Sequence, residues 1–376
     1  MKGEEQQQHS CFLDEQGETH CSQAAWGVPV PDGRSLPLLL GVGPAKTSST
    51  ALFELLGHHP RLVLGNSTLV GHDCCGSELY YFSRRFNATQ PAAGLSKYFT
   101  RDGDEEGEGE DERLTKDTQW LAEKTPEYSD HFLVPYRIKA TLQPMPGVLS
   151  LVFTLRDPLD AHVSLYFYRM ARKQLPSSAR GFLEWSQALY AGHDDYQQCV
   201  KKQLKAVGWS DINAELVDRR IEDTILPKPP TWLGIQSVDE AIFQACRAPH
   251  FQPSDKLEGL GSLLYSTTLP RWKKVLEGAP SLCVFHQDVI KRPAQEATRV
   301  AQFLGLDPLE MDRALRGTPI DTQYASRAEV SPEQRVLQAE GGDEKETAAA
   351  VRRHMSKLKN LFAGEMEYAK QFCANL

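Results

Sequence analysis

The sequence predicts an α/β fold, a central parallel sheet flanked by helices, on three observations. Two short unbroken apolar runs, residues 36–42 and 149–155, have the composition of strands covered on both faces rather than the alternation of a half-exposed sheet. Each run leads through a short joint into a segment whose apolar residues recur at helical spacing. Strand and helix signals then alternate along much of the chain, as βαβ units require.

In order, residues 1–35 are rich in Gln, Glu and Gly and read as a disordered tail, its one ordered candidate a loop between Cys11 and Cys21. The folded part is assigned to residues 36–376 as a single domain. After the strand at 36–42 comes a polar loop, Gly43 to Ser49, then a helix with Ala51, Leu52, Leu55 and Leu56 on one side, stopped at His58-His59-Pro60. Residues 62–64 read as a second strand and 78–86 as a mixed aromatic and basic segment. The strand at 149–155 ends in Arg156-Asp157-Pro158, with Asp157 as the expected N-cap and Pro158 in the first turn of a helix over 159–173. Residues 182–217 read as mostly helical, 226–232 as Pro-rich, 263–276 as a helix, 282–285 as a strand and 294–304 as a helix ended by Gly305.

The net charge of −8 is local in origin. Residues 102–112 hold eight carboxylates and no Lys or Arg, so the rest of the chain is balanced and need not repel an anionic ligand. That stretch forms an acidic loop insertion at 101–113. Nothing in the charge balance points to nucleic acid. The longest apolar run falls far short of the ~18 residues a membrane helix needs, and residues 1–30 have no signal-peptide core. The eight cysteines contain no CxxC pair and do not form a disulfide framework, and His72-Asp73-Cys74-Cys75 fits no zinc spacing, so no metal is expected. Two sequons, at Asn66 and Asn87, would suit a glycoprotein of the secretory lumen, while the lack of an anchor leaves a cytoplasmic protein open.

The chemistry centres on Gly41-Val42-Gly43-Pro44-Ala45-Lys46-Thr47-Ser48-Ser49-Thr50, a loop from a buried strand into a helix. Free backbone N–H groups and the helix dipole can grip an anion there, and Lys46 with the hydroxyls of Thr47, Ser48, Ser49 and Thr50 adds donors. It is not a Walker A loop, because Leu40 and Ala45 stand where glycines would be needed. Read alone, the loop is equally an ordinary βα turn with a surface lysine, Glu78 a solvated face, Lys124 a surface lysine before a turn, and Arg156-Asp157 a local salt bridge at a helix start.

Taken together, these stretches resemble the sulfotransferases that use 3′-phosphoadenosine 5′-phosphosulfate (PAPS), most closely the Golgi heparan sulfate branch with its glucosaminyl N- and O-sulfotransferases. GVGPAKTSSTALFELLGHHPRL (41–62) is similar to that family's 5′-phosphosulfate loop and helix. SELYYFS (77–83), EKTPEYSD (123–130), LRDPLDAHVSLYFY (155–168), and LYSTTLPRW (264–272) with FLGLDP (303–308) follow in family order, so the resemblance spans roughly residues 36–310. It implies a P-loop-like sulfotransferase fold and transfer of a sulfuryl group from PAPS to a hydroxyl or amine of an acceptor, a glycan or a small-molecule alcohol. A nucleotide-dependent kinase is the other class of enzyme that such a cradle would serve.

The resemblance assigns roles residue by residue. Lys46 would meet the oxygen bridging phosphate and sulfate, and residues Thr47, Ser48, Ser49, Thr50 and Ala51 would hold the 5′-phosphate. Arg156 and Ser164 would bind the 3′-phosphate. Glu78 would be the general base, Lys124 a basic group near the transferring sulfate, and Tyr128 a neighbouring wall. The sequence departs from the family in Ser48, where glycine is usual. It departs again in a closing loop only faintly echoed by Arg316-Gly317-Thr318-Pro319 and Tyr324, and in a bracing cysteine pair without clear counterpart. Residues 205–260 align with nothing and sit where acceptor specificity is expected.

Overall fold

The computed structural model describes residues 9–13, 19–66, 77–84, 90–99, 114–129, 134–206, 260–316, 330–339 and 345–376. The acidic insertion at 101–113, nearly all of the 205–260 segment, the 317–319 stretch, Tyr324, Arg85, Asn87 and the His72-to-Cys75 cluster lie outside them. At the N-terminus, β1 (His9–Leu13) and β2 (Thr19–Gln23) form an antiparallel pair with Cys11 opposite Cys21, and β3 (Val28–Pro29) pairs with β4 (Ser35–Leu36). Val28, Val30 and Leu36 are buried in the main core, so ordered structure begins ahead of the apolar run that marks the domain start in the sequence. The tail expected to be disordered therefore contributes backbone pairing and core side chains.

The central sheet has five strands, all parallel. These are β5 (Leu38–Val42), β6 (Leu62–Leu64), β7 (Trp120–Lys124), β8 (Leu149–Leu155) and β9 (Ser281–Phe285), in spatial order β6-β7-β5-β8-β9. Every residue of β5, β7 and β8 is buried, which explains their near-continuous apolar sequences and also the cost of the exceptions, Glu123 and Lys124.

Alternation along the strands sends side chains into two separate cores. Leu38, Leu40, Leu121, Leu151 and Phe153 face a layer that includes α4 (Val134–Thr141), α7 (Tyr265–Val275) and α13 (Glu365–Ala374). Leu39, Ala122, Val152 and Val284 face α1 (Ser49–Leu56), α9 (Pro293–Phe303) and α10 (Pro308–Leu315). Between these, α2 (Tyr81–Arg84) and α3 (Pro91–Ser96) precede β7, while α8 (His286–Lys291) follows β9 directly. A third cluster joins α5 (Pro158–Ala171), α6 (Ala179–Ala206), α11 (Pro332–Leu337) and α12 (Lys345–Leu361). Asp157 caps α5 as its sequence requires, accepting from Asp160 N at 2.9 Å. Among the described residues no helix is long and apolar enough to cross a membrane.

The last helix is fastened covalently. Cys373 on α13 is bonded to Cys283 in the middle of β9, ninety residues away in sequence, and Phe372 packs edge-on against Phe153 with ring centroids 6.0 Å apart. Cys199 is also disulfide-bonded. The sequence shows no disulfide framework and leaves the pairing open, because spacing alone cannot show that a C-terminal helix returns to the sheet.

Sheet order also brings several loop ends together. From β5 the chain crosses to the β6 and β7 side, and then returns to β8 on the other side, so the connections leaving β5 and β8 diverge at the strands' carboxyl ends, the switch point of the sheet. Two glycines of β5 and its loop keep this edge closely packed. A Cβ on Gly41 would lie 2.5 Å from Lys124 Cβ and 2.6 Å from Phe53 Cζ, and one on Gly43 would lie 2.3 Å from the backbone oxygen of Thr154. Backbone cannot swing aside as a long side chain can. Gly43→Ala is expected to destabilise the fold by about 1–3 kcal/mol, the usual range for overpacking, as a lowered denaturant midpoint at unchanged slope. A midpoint equal to wild type would contradict this account of the β5–β8 contact.

Candidate active site

Four strand ends contribute to one edge: the loop after β5, Lys124 and Thr125 at the end of β7, Arg156 after β8, and His286 after β9. The loop is held in an unusual backbone shape. Lys46 and Ser48 both have left-handed φ, 71° and 68°, each costing roughly 1 kcal/mol or more for a non-glycine residue unless the surroundings fix it. Four contacts do so. Thr47, fully buried, donates its hydroxyl to Pro44 O at 2.9 Å and lies 2.8 Å from Thr154 Oγ1. Ser48 Oγ lies 2.6 Å from His286 Nδ1. Arg156 Nη1 donates to Lys46 O at 3.0 Å.

These contacts revise part of the expected cradle. The Thr47 hydroxyl is spent inside the protein and is not turned outward as a phosphate donor. Thr50 Oγ1 accepts from Lys124 Nζ at 2.6 Å. What the loop offers an anion is chiefly backbone: the N–H groups of Ser49, Thr50 and Ala51 stand in the first turn of α1 without intrahelical acceptors. Lys46 Nζ stands 4.3 Å above the ring of Tyr168 on α5, a cation–π contact that holds the ammonium on the α5 side of the loop.

Lys124 is the most constrained charge at this edge. It is 1% exposed, yet pairs with Glu78 Oε1 while donating to Thr50. Glu78 is itself buried and its other oxygen accepts from Tyr80 OH at 2.8 Å. The Lys124 amide donates to Ser77 O at 3.1 Å, so the 77–80 segment is bound to the end of β7 by backbone as well as by charge. The sequence-predicted base, the predicted basic group and the first turn of the loop helix thus form one connected set.

The neighbouring residue on β7 points to the opposite face. Glu123 is fully buried, and Thr125 Oγ1 donates to its Oε2 at 3.3 Å. Burial pushes its pKa up to about 8, against the opposing effect of hydrogen bonds from Tyr128 and Thr125. Tyr128, expected as a wall of the site, is fully buried beside it and accepts from Phe82 N at 3.2 Å. Burial pushes its phenol up as well, so it stays protonated.

At the other end of the edge, Tyr265 on α7 holds Arg156 by its backbone, donating its hydroxyl to Arg156 O at 2.6 Å and accepting from Arg156 N at 3.1 Å. Burial pulls the Arg156 pKa down, Asp160 and Asp157 opposing it, though arginine stays charged at any ordinary pH. Ser164 is half-buried on α5, one helical turn from Asp160 and one from Tyr168, so these three share a stripe. Burial, and then the charges of Arg156, Arg335 and Lys46, hold His286 at about 3, so its imidazole is neutral. His286 and Arg335 went unread in the sequence, because neither lies in a recognisable pattern. Their partners are 238 and 175 residues away in the chain.

Glu123 sets a sign for the effect of pH. A carboxyl raised from 4.5 to about 8 on folding contributes stability that is full below the lower value and is lost as pH rises toward the upper one. The melting temperature is therefore expected to fall between pH 5 and pH 8, and Glu123→Gln, a neutral isostere, should flatten that slope. Parallel slopes for wild type and Glu123→Gln in thermal unfolding would show that the carboxyl is ionised in the fold.

No family model matches the chain, and no curated protein matches it. Solved structures do. The chain is similar to a sulfotransferase from Alicyclobacillus acidocaldarius at 16% identity, covering 88% of this chain and 96% of that one, with a TM-score of 0.40. It is similar to the sulfotransferase domain of the Synechococcus PCC 7002 olefin synthase at 12% identity, covering 88% and 98%, with a TM-score of 0.34. Sulfotransferase STF9 from Mycobacterium avium matches at 11% identity, covering 88% of this chain and 78% of that one, with a TM-score of 0.37.

Proposed function

We propose that the protein is a sulfotransferase that moves a sulfuryl group from PAPS to a hydroxyl or amine, with a glycan as the favoured acceptor. The observation that carries this reading is the Glu78–Lys124–Thr50 connection: a buried carboxylate suited to accept a proton is tied through one ammonium to the helix that presents the anion loop. The family resemblance of the motifs supports the identity of the donor, and the reversal of strand order between β5 and β8 supports a donor at their carboxyl ends.

The donor brings the activated sulfuryl group. The backbone N–H groups of residues 49–51 would hold its 5′-phosphate, and Arg156 with Ser164 its 3′-phosphate. The acceptor oxygen or nitrogen forms a bond to sulfur as the bond from sulfur to the bridging oxygen breaks, leaving adenosine 3′,5′-bisphosphate. Glu78 takes the acceptor's proton, while Lys46 and Lys124 stabilise negative charge gathering on the bridging oxygen. No step requires a metal.

Phosphoryl transfer fits less well. In a Walker A loop the hydroxyl residue after the lysine reaches a magnesium ion, whereas Thr47 at that place turns its hydroxyl to Pro44 O and Thr154.

The test is transfer of labelled sulfate from PAPS to a panel of polysaccharides and small alcohols. Wild type should label at least one acceptor. Glu78→Gln should reduce turnover by about 100-fold or more, the usual contribution of a general base, a larger loss than in its affinity for the bisphosphate. Arg156→Ala should chiefly weaken nucleotide binding. Equal turnover in Glu78→Gln and wild type would refute the base assignment.

A further inference from the structure

Ser48 stands at the N-cap position of α1 and does not cap it. A serine there ordinarily turns its hydroxyl back to accept from the second or third backbone N–H of the helix. Ser331 does this for α11, with an extended backbone (φ −60°, ψ 152°) and a bond from Gln334 N at 3.2 Å. Ser48 has φ 68° and ψ 19°, and its hydroxyl lies 2.6 Å from His286 Nδ1 instead. The difference governs what the helix has left to give. A capping Ser48 would take up the N–H of Thr50 or of Ala51, and both are among the groups the loop offers an anion.

The sheet places His286 for this contact. β9 pairs with β8 so that Phe285 lies beside Leu155, and His286 and Arg156 are the residues that follow each strand. Burial, and then the charges of Arg156, Arg335 and Lys46, keep the imidazole neutral. Either neutral tautomer can bind the Ser48 hydroxyl, Nδ1 accepting its proton or donating to its oxygen. The bond offsets the cost of a left-handed backbone at Ser48, a cost that glycine would not incur.

We propose that His286 is a positioning residue for the donor's 5′-phosphate: by holding the Ser48 hydroxyl away from α1, it keeps the first-turn N–H groups open to the anion. This rests on the donor reading above and extends it to a residue that lies in no motif and acts through Ser48, not on the donor itself. It also gives Ser48 a role different from the one the resemblance implies, in which its hydroxyl holds the phosphate.

The experiment titrates the full chain calorimetrically with adenosine 3′,5′-bisphosphate and with adenosine 3′-monophosphate, which lacks the 5′-anion. His286→Ala frees the hydroxyl to cap α1. It should weaken bisphosphate binding about 3- to 30-fold, the span of a serine cap, and monophosphate binding by under about 2-fold. In a Ser48→Gly background there is no hydroxyl to misplace, and the same His286→Ala change should weaken bisphosphate binding by under about 2-fold. His286→Asn, which sets an amide near the place of Nδ1, should bind the bisphosphate within about 2-fold of wild type, and His286→Gln about 3-fold or more weaker. That pair decides the matter if His286→Ala does not fold. Equal losses in the two Ser48 backgrounds, or equal affinities of the Asn and Gln variants, would overturn the assignment and leave the donor reading standing. If wild type binds the bisphosphate no more tightly than the monophosphate, the loop holds no 5′-anion and the donor reading fails together with this assignment.

Discussion

A lysine ammonium buried in the middle layer of a parallel sheet is the constraint on which the rest of the edge depends. Lys124 is the last residue of β7, and its stem lies against Gly41 on the neighbouring strand because only a glycine leaves room there. An ammonium removed from water must be paired and hydrogen-bonded or it will not remain charged. Glu78 and Thr50 meet that demand together. Their positions are thereby fixed: the 77–80 segment is drawn to the end of β7, and the first turn of α1 is held at the same point. Removing either partner would leave a buried charge uncompensated, so the arrangement is rigid for electrostatic reasons and not only through packing.

The other half of the edge shows the complementary condition, donors in surplus. The loop from Gly43 to Ser48 carries two left-handed residues, and the contacts of Thr47, Ser48 and Lys46 hold it in that shape. A loop shaped in advance loses little entropy when an anion arrives. Arg156 and Arg335 each keep a buried Nε without a partner, and burial, followed by the charges of Arg156, Arg335 and Lys46, keeps His286 neutral, so this edge is locally cationic despite the acidic net charge of the chain. Net charge was a poor guide here because one acidic stretch determines its sign.

Much of this was legible from residue order. The runs that became β5 and β8, the helices after them, the Asp157 cap and the course of the loop from β5 into α1 all follow from local patterns whose physical causes are local. The strand β7 was not legible, since Glu123 and Lys124 interrupt its apolar pattern, and a strand that buries two charged side chain types is recognisable only once their partners are seen. The two residues also differ in surroundings: burial pushes the Glu123 carboxyl up, while Lys124 is paired with Glu78 and Thr50, and that difference depends on which face of the sheet each takes. The Cys283–Cys373 bond, the Ser48 contact with His286 and the place of Arg335 depend on chain segments far apart in sequence. The core contribution of Val28 and Val30 was hidden in a polar stretch whose composition resembles a tail.

The most direct measurement of the central claim is a calorimetric comparison of adenosine 3′,5′-bisphosphate with ATP in the presence of magnesium. An edge shaped for a nucleotide with a ribose phosphate and a 5′-anion in the β5–α1 loop predicts clear heat and a defined 1:1 association with the bisphosphate, and much weaker association with ATP. Tight binding of magnesium ATP with no binding of the bisphosphate would contradict it.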